Sequence, residues 1–179
     1  MAVQILKERY SMPNGSVVLG ATAAEGGTRC CTLTVGGEGA LPFQHYEGEI
    51  PNRPIIAMEV NSCNPEWNDN LKNAIGADLM SDPVAWAKNN KEVGADAIYL
   101  KLDSADPDKG GDSPEKLAQL VKDVLAACDL PLIVAGCGII DIDQEVLMAV
   151  AEAAKGENIF HQLSQFFRRV AALIGISRI

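Results

Sequence analysis

The stretch DPVAWAKNNKEVGADAIYLKL, residues 82–102, decides the fold class because it joins a capped helix directly to a buried strand. Asp82 supplies an N-cap acceptor, and Pro83 takes the first helical position, where its missing N–H costs nothing. Gly94 ends the predicted helix, and the apolar run at 97–102 has the length of a strand. α/β proteins repeat a unit in which a helix is followed directly by a buried strand, so this stretch predicts that fold class.

The same alternation continues on both sides of this stretch. Upstream, the run IIAMEV at 55–60 predicts the first parallel strand, and a polar loop is predicted between this strand and Asp82. Downstream, Ser113 and Pro114 repeat the cap, and LIVA at 132–135 predicts the third strand. Alternating strands and helices at these spacings imply parallel strands with right-handed crossovers. Periodicity alone does not separate an open doubly wound sheet from a closed barrel.

The flanks of this region carry weaker signals. Asp141 or Asp143 is predicted to cap a further helix, and residues 158–160 can open a fourth strand. Near the start, β-prone runs at 17–20 and 31–35 are separated by AEGGTR, which predicts an N-terminal hairpin.

Composition excludes several classes of function. The 179-residue chain has a formal charge of −9, which argues against nucleic acid or anionic membranes as partners. No run approaches the roughly 18 to 20 apolar residues of a membrane span. We therefore expect a cytoplasmic protein of one domain that binds neither nucleic acid nor membrane.

Five cysteines are scattered without a C-x-x-C pair, so we expect reduced thiols and no metal or cluster bound by this chain alone. The glycines at 36, 37 and 39 do not follow the G-x-G-x-x-G pattern and open no helix, so they do not indicate nucleotide binding.

Longer blocks of sequence carry a family resemblance. They are MAVQIL, VVLGAT, GGTR, the segment 41–60, DPVAWAK, GADAIYLKLDSADP, PLIVAGCG and EVLMAVAEAAKGEN, in this order over about residues 1–158. With these blocks the chain resembles the small subunit of the corrinoid iron–sulfur protein, the delta subunit of acetyl-CoA decarbonylase/synthase.

The resemblance implies a (β/α)8, or TIM, barrel of which this chain holds the first three to four βα units, since a full barrel takes about 250 residues. It implies a division into hairpin and aromatic loop at 1–52, partial barrel at 53–160 and an atypical tail at 161–179. The implied partner is a large corrinoid and [4Fe–4S] subunit, with transient contacts to a methyltransferase and acetyl-CoA synthase. The implied role is to help hold a cobamide, shared with that subunit, which carries a methyl group from methyl-tetrahydropterin.

The tail HQLSQFFRRVAALIGISRI does not continue the resemblance. It is either the product of a frameshift or premature stop, or an amphipathic helix that partly covers the sheet edge. Two further hypotheses on function stay open: a pterin-binding methyltransferase acting on its own, and an inactive truncated gene product.

Loops after the strands are the expected place for function, because strand ends converge there in a barrel. The candidate cofactor-binding residues lie in the three loops after the predicted strands: Asn61, Asp103, Ser104, Asp106, Gly136, Cys137 and Gly138. Asp103 and Asp106 can hydrogen-bond a pterin or a corrinoid amide, or form only an Asx-turn before Pro107. The G-C-G run either allows a ligand to approach the backbone closely, or only forms a tight turn where the chain leaves the third predicted strand.

Two further polar features have structural interpretations. Glu59 lies inside the first predicted strand, where a lone carboxylate is costly, and Lys101 on the second strand is its predicted partner. His45 lies in an aromatic loop, where it either approaches cobalt or packs at an interface. No serine or cysteine nucleophile with a histidine partner is evident, so no catalytic residue is predicted.

Overall fold

The computed structural model describes residues 13–41 and 48–162. An antiparallel hairpin comes first, with β1 at Ser16–Leu19 and β2 at Leu33–Gly36. A four-stranded parallel sheet follows, in the order β3, β4, β5, β6. Its strands are β3 at Ala57–Asn61, β4 at Ala97–Lys101, β5 at Leu132–Ala135 and β6 at Phe160–Gln162. The fold is therefore a mixed α/β arrangement with a separate hairpin.

Three long helices connect the strands, and the first two of them begin at the caps that the sequence predicts. Helix α3 spans Pro83–Glu92 behind the Asp82 cap, and α4 spans Pro114–Ala127 behind the Ser113 cap. Helix α5 spans Ile140–Ala153. Between β3 and α3 lie two short helices, α1 at Asp69–Ile75 and α2 at Ala77–Met80. The prediction of a plain polar loop in that region was wrong, since Asn68 caps α1 by accepting from the Leu71 amide.

The hydrophobic core lies between one face of the sheet and the three long helices. The alternate strand residues Val60, Leu100 and Val134 are fully buried and belong to one cluster with the helices. The helical members with almost no exposure include Trp86, Leu117, Val121, Val124, Val146 and Val150. Strands that follow each other in spatial order with right-handed crossovers place their helices on the same face. The other face remains partly open.

The open face carries the other alternate set of side chains. Glu59, Tyr99, Ile133 and Phe160 lie side by side across the four strands, and all four are partly exposed. Asn61 and Lys101 lie two residues further toward the carboxyl ends of the strands, and they are again neighbours in register. This face leads directly to the loops that hold the candidate site.

The hairpin is fixed to the amino-terminal end of the sheet by a buried arginine. Arg29 is 4% exposed; its Nε donates to Glu157 at 2.8 Å, and its guanidinium also donates to the Leu125 and Cys128 carbonyls near the end of α4. These last carbonyls of a helix have no partner within the helix, so the guanidinium acts as a C-terminal cap. The hairpin therefore braces this end of the sheet.

Two predictions on helix ends and strands were close but need adjustment. Neither Asp141 nor Asp143 is the cap of α5, because that helix begins at Ile140 and both carboxylates lie in its first turn. The suggested fourth strand exists two residues later than predicted, at Phe160–Gln162. The aromatic loop with His45 and most of the C-terminal tail lie outside the described residues, and the division of the chain into regions stays a prediction.

Candidate functional site

The carboxyl ends of β3, β4 and β5 are tied together by backbone and hydroxyl hydrogen bonds. The Ser62 amide donates to the Lys101 carbonyl at 2.9 Å, and the Ser104 amide donates to Ser62 Oγ at 2.9 Å. The Leu102 amide donates to the Ala135 carbonyl at 2.9 Å. The loops after adjacent strands therefore have a fixed relation to each other, which is what a preorganised site requires.

Asp103 is the centre of the polar cluster at this edge. Its Oδ2 accepts from Asn61 Nδ2 at 2.9 Å and lies 3.1 Å from Lys101 Nζ and 3.6 Å from Lys109 Nζ. Asp103 is only 6% exposed, so these partners offset the cost of burying its charge. These three contacts within the described part of the chain all involve Oδ2 of the carboxylate.

The protonation states follow from this geometry. Burial raises the pKa of Asp103, but the Asn61 hydrogen bond and the Lys101 ion pair together lower it further, so its pKa lies below the usual value. Burial lowers the pKa of Lys101, but Asp103 outweighs this, and that pKa lies above the usual value. The pair is therefore charged on both sides at neutral pH.

A cleft of about 610 Å³ opens beside Asp103. This volume lies within the range of roughly 300 to 1,000 Å³ that small-molecule sites occupy. Four carboxylates and two ammonium groups line the cleft, so its lining has an excess of negative charge. The cleft therefore disfavours polyanionic ligands and favours ligands rich in hydrogen-bond donors. Its lining consists of Glu59, Asn61, Cys63, Asn64, Pro65, Glu66, Trp67, Lys101, Asp103, Asp108 and Lys109.

Trp67 and Cys63 give this cleft an apolar side. Trp67 packs edge to face on the buried Trp86, with ring centroids 5.7 Å apart, which fixes the wall of the cleft to the core. Burial, with Asp103 as a second cause, raises the pKa of the Cys63 thiol. Cys63 therefore stays protonated at neutral pH and is a poor nucleophile there.

The G-C-G loop after β5 is organised by Asp143 from the first turn of α5. The Asp143 carboxylate accepts from the Cys137 amide at 2.8 Å and from the Gly138 amide at 3.0 Å. A Cβ on Gly136 would lie 2.2 Å from Asp143 Oδ1, so a side chain at that position collides with the carboxylate. Glycine at 136 is thus required by the contact between Asp143 and this loop. Burial also raises the pKa of the Cys137 thiol.

Asp106 has the local role that the structural interpretation predicted. Its Oδ1 accepts from the Asp108 amide at 3.0 Å, which is the hydrogen bond of an Asx-turn. Its carbonyl accepts from the amides of Lys109, Gly110 and Gly111. The loop after β4 is therefore folded upon itself, and this folding brings Lys109 back to Asp103.

The structure brings together only some of the seven predicted residues. Asn61 and Asp103 form the centre of the cleft. Asn61 is only 2% exposed, and both ends of its side-chain amide are hydrogen-bonded: Nδ2 donates to Asp103, and Oδ1 accepts from the Cys63 amide. Ser104 lies beneath this cluster, and its buried hydroxyl has no partner among the described residues. Asp106, Gly136, Cys137 and Gly138 do not line the cleft. Cofactor contact by any of the seven stays a prediction.

Sequence reasoning missed Lys109 and Trp67 at this end of the sheet, and it predicted Asp143 as a helix cap and not as the acceptor for the loop after β5. Lys109 follows Asp103 within one loop, so a basic residue soon after the acidic one was an available signal. Trp67 gave no such signal, because its position depends on its contact with Trp86.

The predicted Glu59–Lys101 ion pair was wrong. In the parallel register Glu59 lies beside Tyr99, and Lys101 lies beside Asn61, one level closer to the strand ends. From there the Lys101 ammonium reaches Asp103. Within the described part of the chain, no group of three or more His, Cys, Asp or Glu side chains is placed to hold a metal ion, and no helix is long and apolar enough to cross a membrane.

A family model described as CO dehydrogenase/acetyl-CoA synthase delta subunit matches residues 16–162. That range contains the whole sheet, the three long helices and the Asp103 cleft. The chain belongs to this delta-subunit family. The resemblance found in the sequence is thereby confirmed.

Relatives with the printed name acetyl-CoA decarbonylase/synthase complex subunit delta agree with this assignment. The Archaeoglobus fulgidus protein is 39% identical over 157 residues, which are 86% of this chain and 34% of that protein. The subunit delta 1 of Methanosarcina thermophila is 37% identical over 142 residues, 79% of this chain and 32% of the relative. The Methanocaldococcus jannaschii protein is 34% identical over 151 residues, 84% of this chain and 36% of the relative. The chain spans about a third of the length of these delta subunits.

Proposed function

We propose that this chain forms one wall of a corrinoid site in an acetyl-CoA decarbonylase/synthase complex, as the small-subunit partner of a large corrinoid and [4Fe–4S] subunit. The complex would move a methyl group between methyl-tetrahydropterin and acetyl-CoA synthase, with the methyltransferase and the synthase as transient partners. The observation that carries the proposal is the preorganised Asp103 cluster at the carboxyl edge of a parallel sheet, in a chain of the delta-subunit family.

The described sheet corresponds in this proposal to the first part of a (β/α)8 barrel. Two observations support it: the strands follow each other in sequential order, and the long helices share one face. A doubly wound sheet instead reverses its strand order and carries helices on both faces. The open face with Glu59, Tyr99, Ile133 and Phe160 then faces the barrel interior.

The residues at the cleft fit the polar rim of a corrinoid. Corrinoids carry amide side chains, whose N–H groups suit the Asp103 carboxylate and whose carbonyl oxygens suit Lys101 and Lys109. When bound, the corrinoid supplies the cobalt that carries the methyl group. The described cleft offers no imidazole, and its one thiol, on Cys63, stays protonated, so its residues suit the rim rather than the cobalt.

Asn61 has an indirect part in this arrangement. Its amide donates to Asp103 Oδ2 and so fixes the orientation of the carboxylate, while the Lys101 ion pair keeps that carboxylate charged. Asn61 is therefore a positioning residue, and Asp103, Lys101 and Lys109 are the groups that contact the cofactor. None of them makes or breaks a bond in this proposal.

The test is co-expression of the chain with a large corrinoid iron–sulfur subunit, followed by size-exclusion chromatography with detection of corrinoid absorbance. We expect a stoichiometric complex. Asp103→Asn should weaken it about tenfold or more, because it removes a buried charge from the cofactor-facing cluster. Glu92→Gln, which removes one exposed charge from α3, is the matched control and should leave the complex unchanged.

Two outcomes would overturn the proposal. One is a folded wild-type chain that never co-elutes with the corrinoid subunit. The other is formation of methylcobalamin when the chain alone is incubated with methyl-tetrahydrofolate and free cobalamin, since this would indicate a pterin-binding methyltransferase in its own right. Circular dichroism of each variant separates loss of binding from loss of folding.

A further inference from the structure

The neighbouring residues Cys30 and Cys31 direct their thiols to the same side of the chain. In an extended strand adjacent side chains point to opposite faces, but the chain bends at Cys30, and the two Sγ atoms lie 3.6 Å apart. Cys30 is exposed, and Cys31 is half-buried. Two thiols in contact, with one of them open to solvent, form a group that the corrinoid proposal does not use.

We propose that Cys30 and Cys31 form an oxidative modification site that exchanges with low-molecular-weight disulfides and closes a disulfide between adjacent residues. In the first step the Cys30 thiolate attacks one sulfur of the disulfide, forming a mixed disulfide and releasing one thiol. In the second step the Cys31 thiolate attacks Cys30 Sγ and displaces the second thiol. The protein loses two hydrogen atoms, and the disulfide is reduced to two thiols.

The order of attack follows from the surroundings of the two sulfurs. Burial, together with the interaction between the Cys31 thiol and Cys30, raises the pKa of Cys31 to about 11, so Cys31 is the resolving thiol and Cys30 the accessible attacking one. Cα atoms across one trans peptide lie about 3.8 Å apart, less than the roughly 4.4 to 6.8 Å of ordinary disulfides. The closed ring is therefore strained and should be roughly tenfold or more easier to reduce than an unstrained disulfide.

This pair lies where the hairpin joins the parallel sheet. The Cys30 amide donates to the Asp129 carbonyl at 2.7 Å, just before β5. A Cβ on Gly20 would lie 2.7 Å from the Cys31 carbonyl oxygen, and Gly20 is itself bonded to Asn158 just before β6. Closing the ring must turn this peptide, so oxidation should loosen the attachment of the hairpin.

The experiment treats the purified chain with excess oxidised glutathione, blocks free thiols by alkylation, and reads intact mass and peptide masses. We expect a mass lower by two hydrogen atoms, Cys30 and Cys31 both unalkylated, and full reversal by a mild dithiol. The oxidised protein should unfold at a lower urea concentration than the reduced protein. Cys31→Ser should instead accumulate the glutathione adduct on Cys30, while Cys63→Ser should react as the wild type does.

Three results would overturn the inference. They are a stable adduct on Cys30 of the wild-type chain, an intermolecular disulfide through Cys30, or no reaction at the pair. Because the main measurement uses the wild-type chain, it does not depend on whether a variant folds. It is also independent of the corrinoid proposal, since no partner or cofactor takes part.

Discussion

Gly136→Ala tests the cap that Asp143 forms over the end of β5. The added Cβ would lie 2.2 Å from Asp143 Oδ1, so the carboxylate has to leave the Cys137 and Gly138 amides. Each hydrogen bond to a charged acceptor contributes about 1.5 to 3 kcal/mol. Cys137 is half-buried and Gly138 is exposed, so both amides regain part of this through water, and we expect a loss of about 2 to 4 kcal/mol in the free energy of unfolding.

The assay is urea unfolding followed by tryptophan fluorescence, with the loss of stability taken from the shift in midpoint at constant slope. Gly15→Ala is the matched control: Gly15 has no positive φ, and its Cβ would have no atom within 4 Å. We expect that control to lie within about 1 kcal/mol of the wild type. A Gly136→Ala protein as stable as the control would refute the reasoning, because the carboxylate would then have moved without cost.

Three more perturbations address the hairpin, the cleft and its wall. Arg29→Met should cost about 3 to 5 kcal/mol of stability in urea unfolding, because it leaves Glu157 and the last α4 carbonyls without their buried donor. Asp103→Asn should remove part of the acid sensitivity: the pKa of Asp103 is lowered in the folded state, so its contribution is complete above the reference value of 3.8 and is lost as pH falls through the lower folded value. Trp67→Leu should cost about 0.5 to 1.5 kcal/mol beyond lost area by removing the edge-to-face contact with Trp86, and should also change the fluorescence of Trp86.

Each of these expectations has a result that contradicts it. An Arg29→Met chain with unchanged stability would mean that the guanidinium does not cap α4. A constant stability difference between Asp103→Asn and wild type from pH 7 to pH 3 would mean that Asp103 has an unshifted pKa. An unaltered Trp86 emission in Trp67→Leu would mean that the two rings are not in contact.

Local signals were sufficient for the long helices and the buried strands. Asp82 and Ser113 each precede a proline and cap the helices that follow, and the strand at Leu132–Ala135 has the predicted bounds. Short helix α1 was missed because it buries no residue and therefore has no apolar stripe to recognise. Its Asn68 cap was the remaining signal, and a cap alone does not predict a helix.

The candidate site was predictable in outline, but its contacts were not. Placing Asn61 and Asp103 after adjacent parallel strands was enough to expect them at one edge, and they do bond there. The partner of Lys101 was predicted on the neighbouring strand, but the ammonium pairs instead with Asp103, two positions further along its own chain, where the loop after β4 holds that carboxylate 3.1 Å away. The role of Asp143 depended on where α5 begins, which the sequence left between two acidic residues.

The sequence by itself determined the alternation of capped helices with buried strands, because capping and hydrophobic periodicity act within a few residues. Membership of the delta-subunit family was indicated by the blocks of sequence shared with that family, and the family model over residues 16–162 shows it. Only the tertiary structure decided which polar and charged groups from distant parts of the chain meet. Arg29 and Glu157 are 128 positions apart, and Asn61 and Asp103 are 42 apart. Such contacts depend on strand register and on the face of the sheet against which each connecting helix packs. Both are settled by packing of the whole sheet, since no local stretch of the chain contains that information.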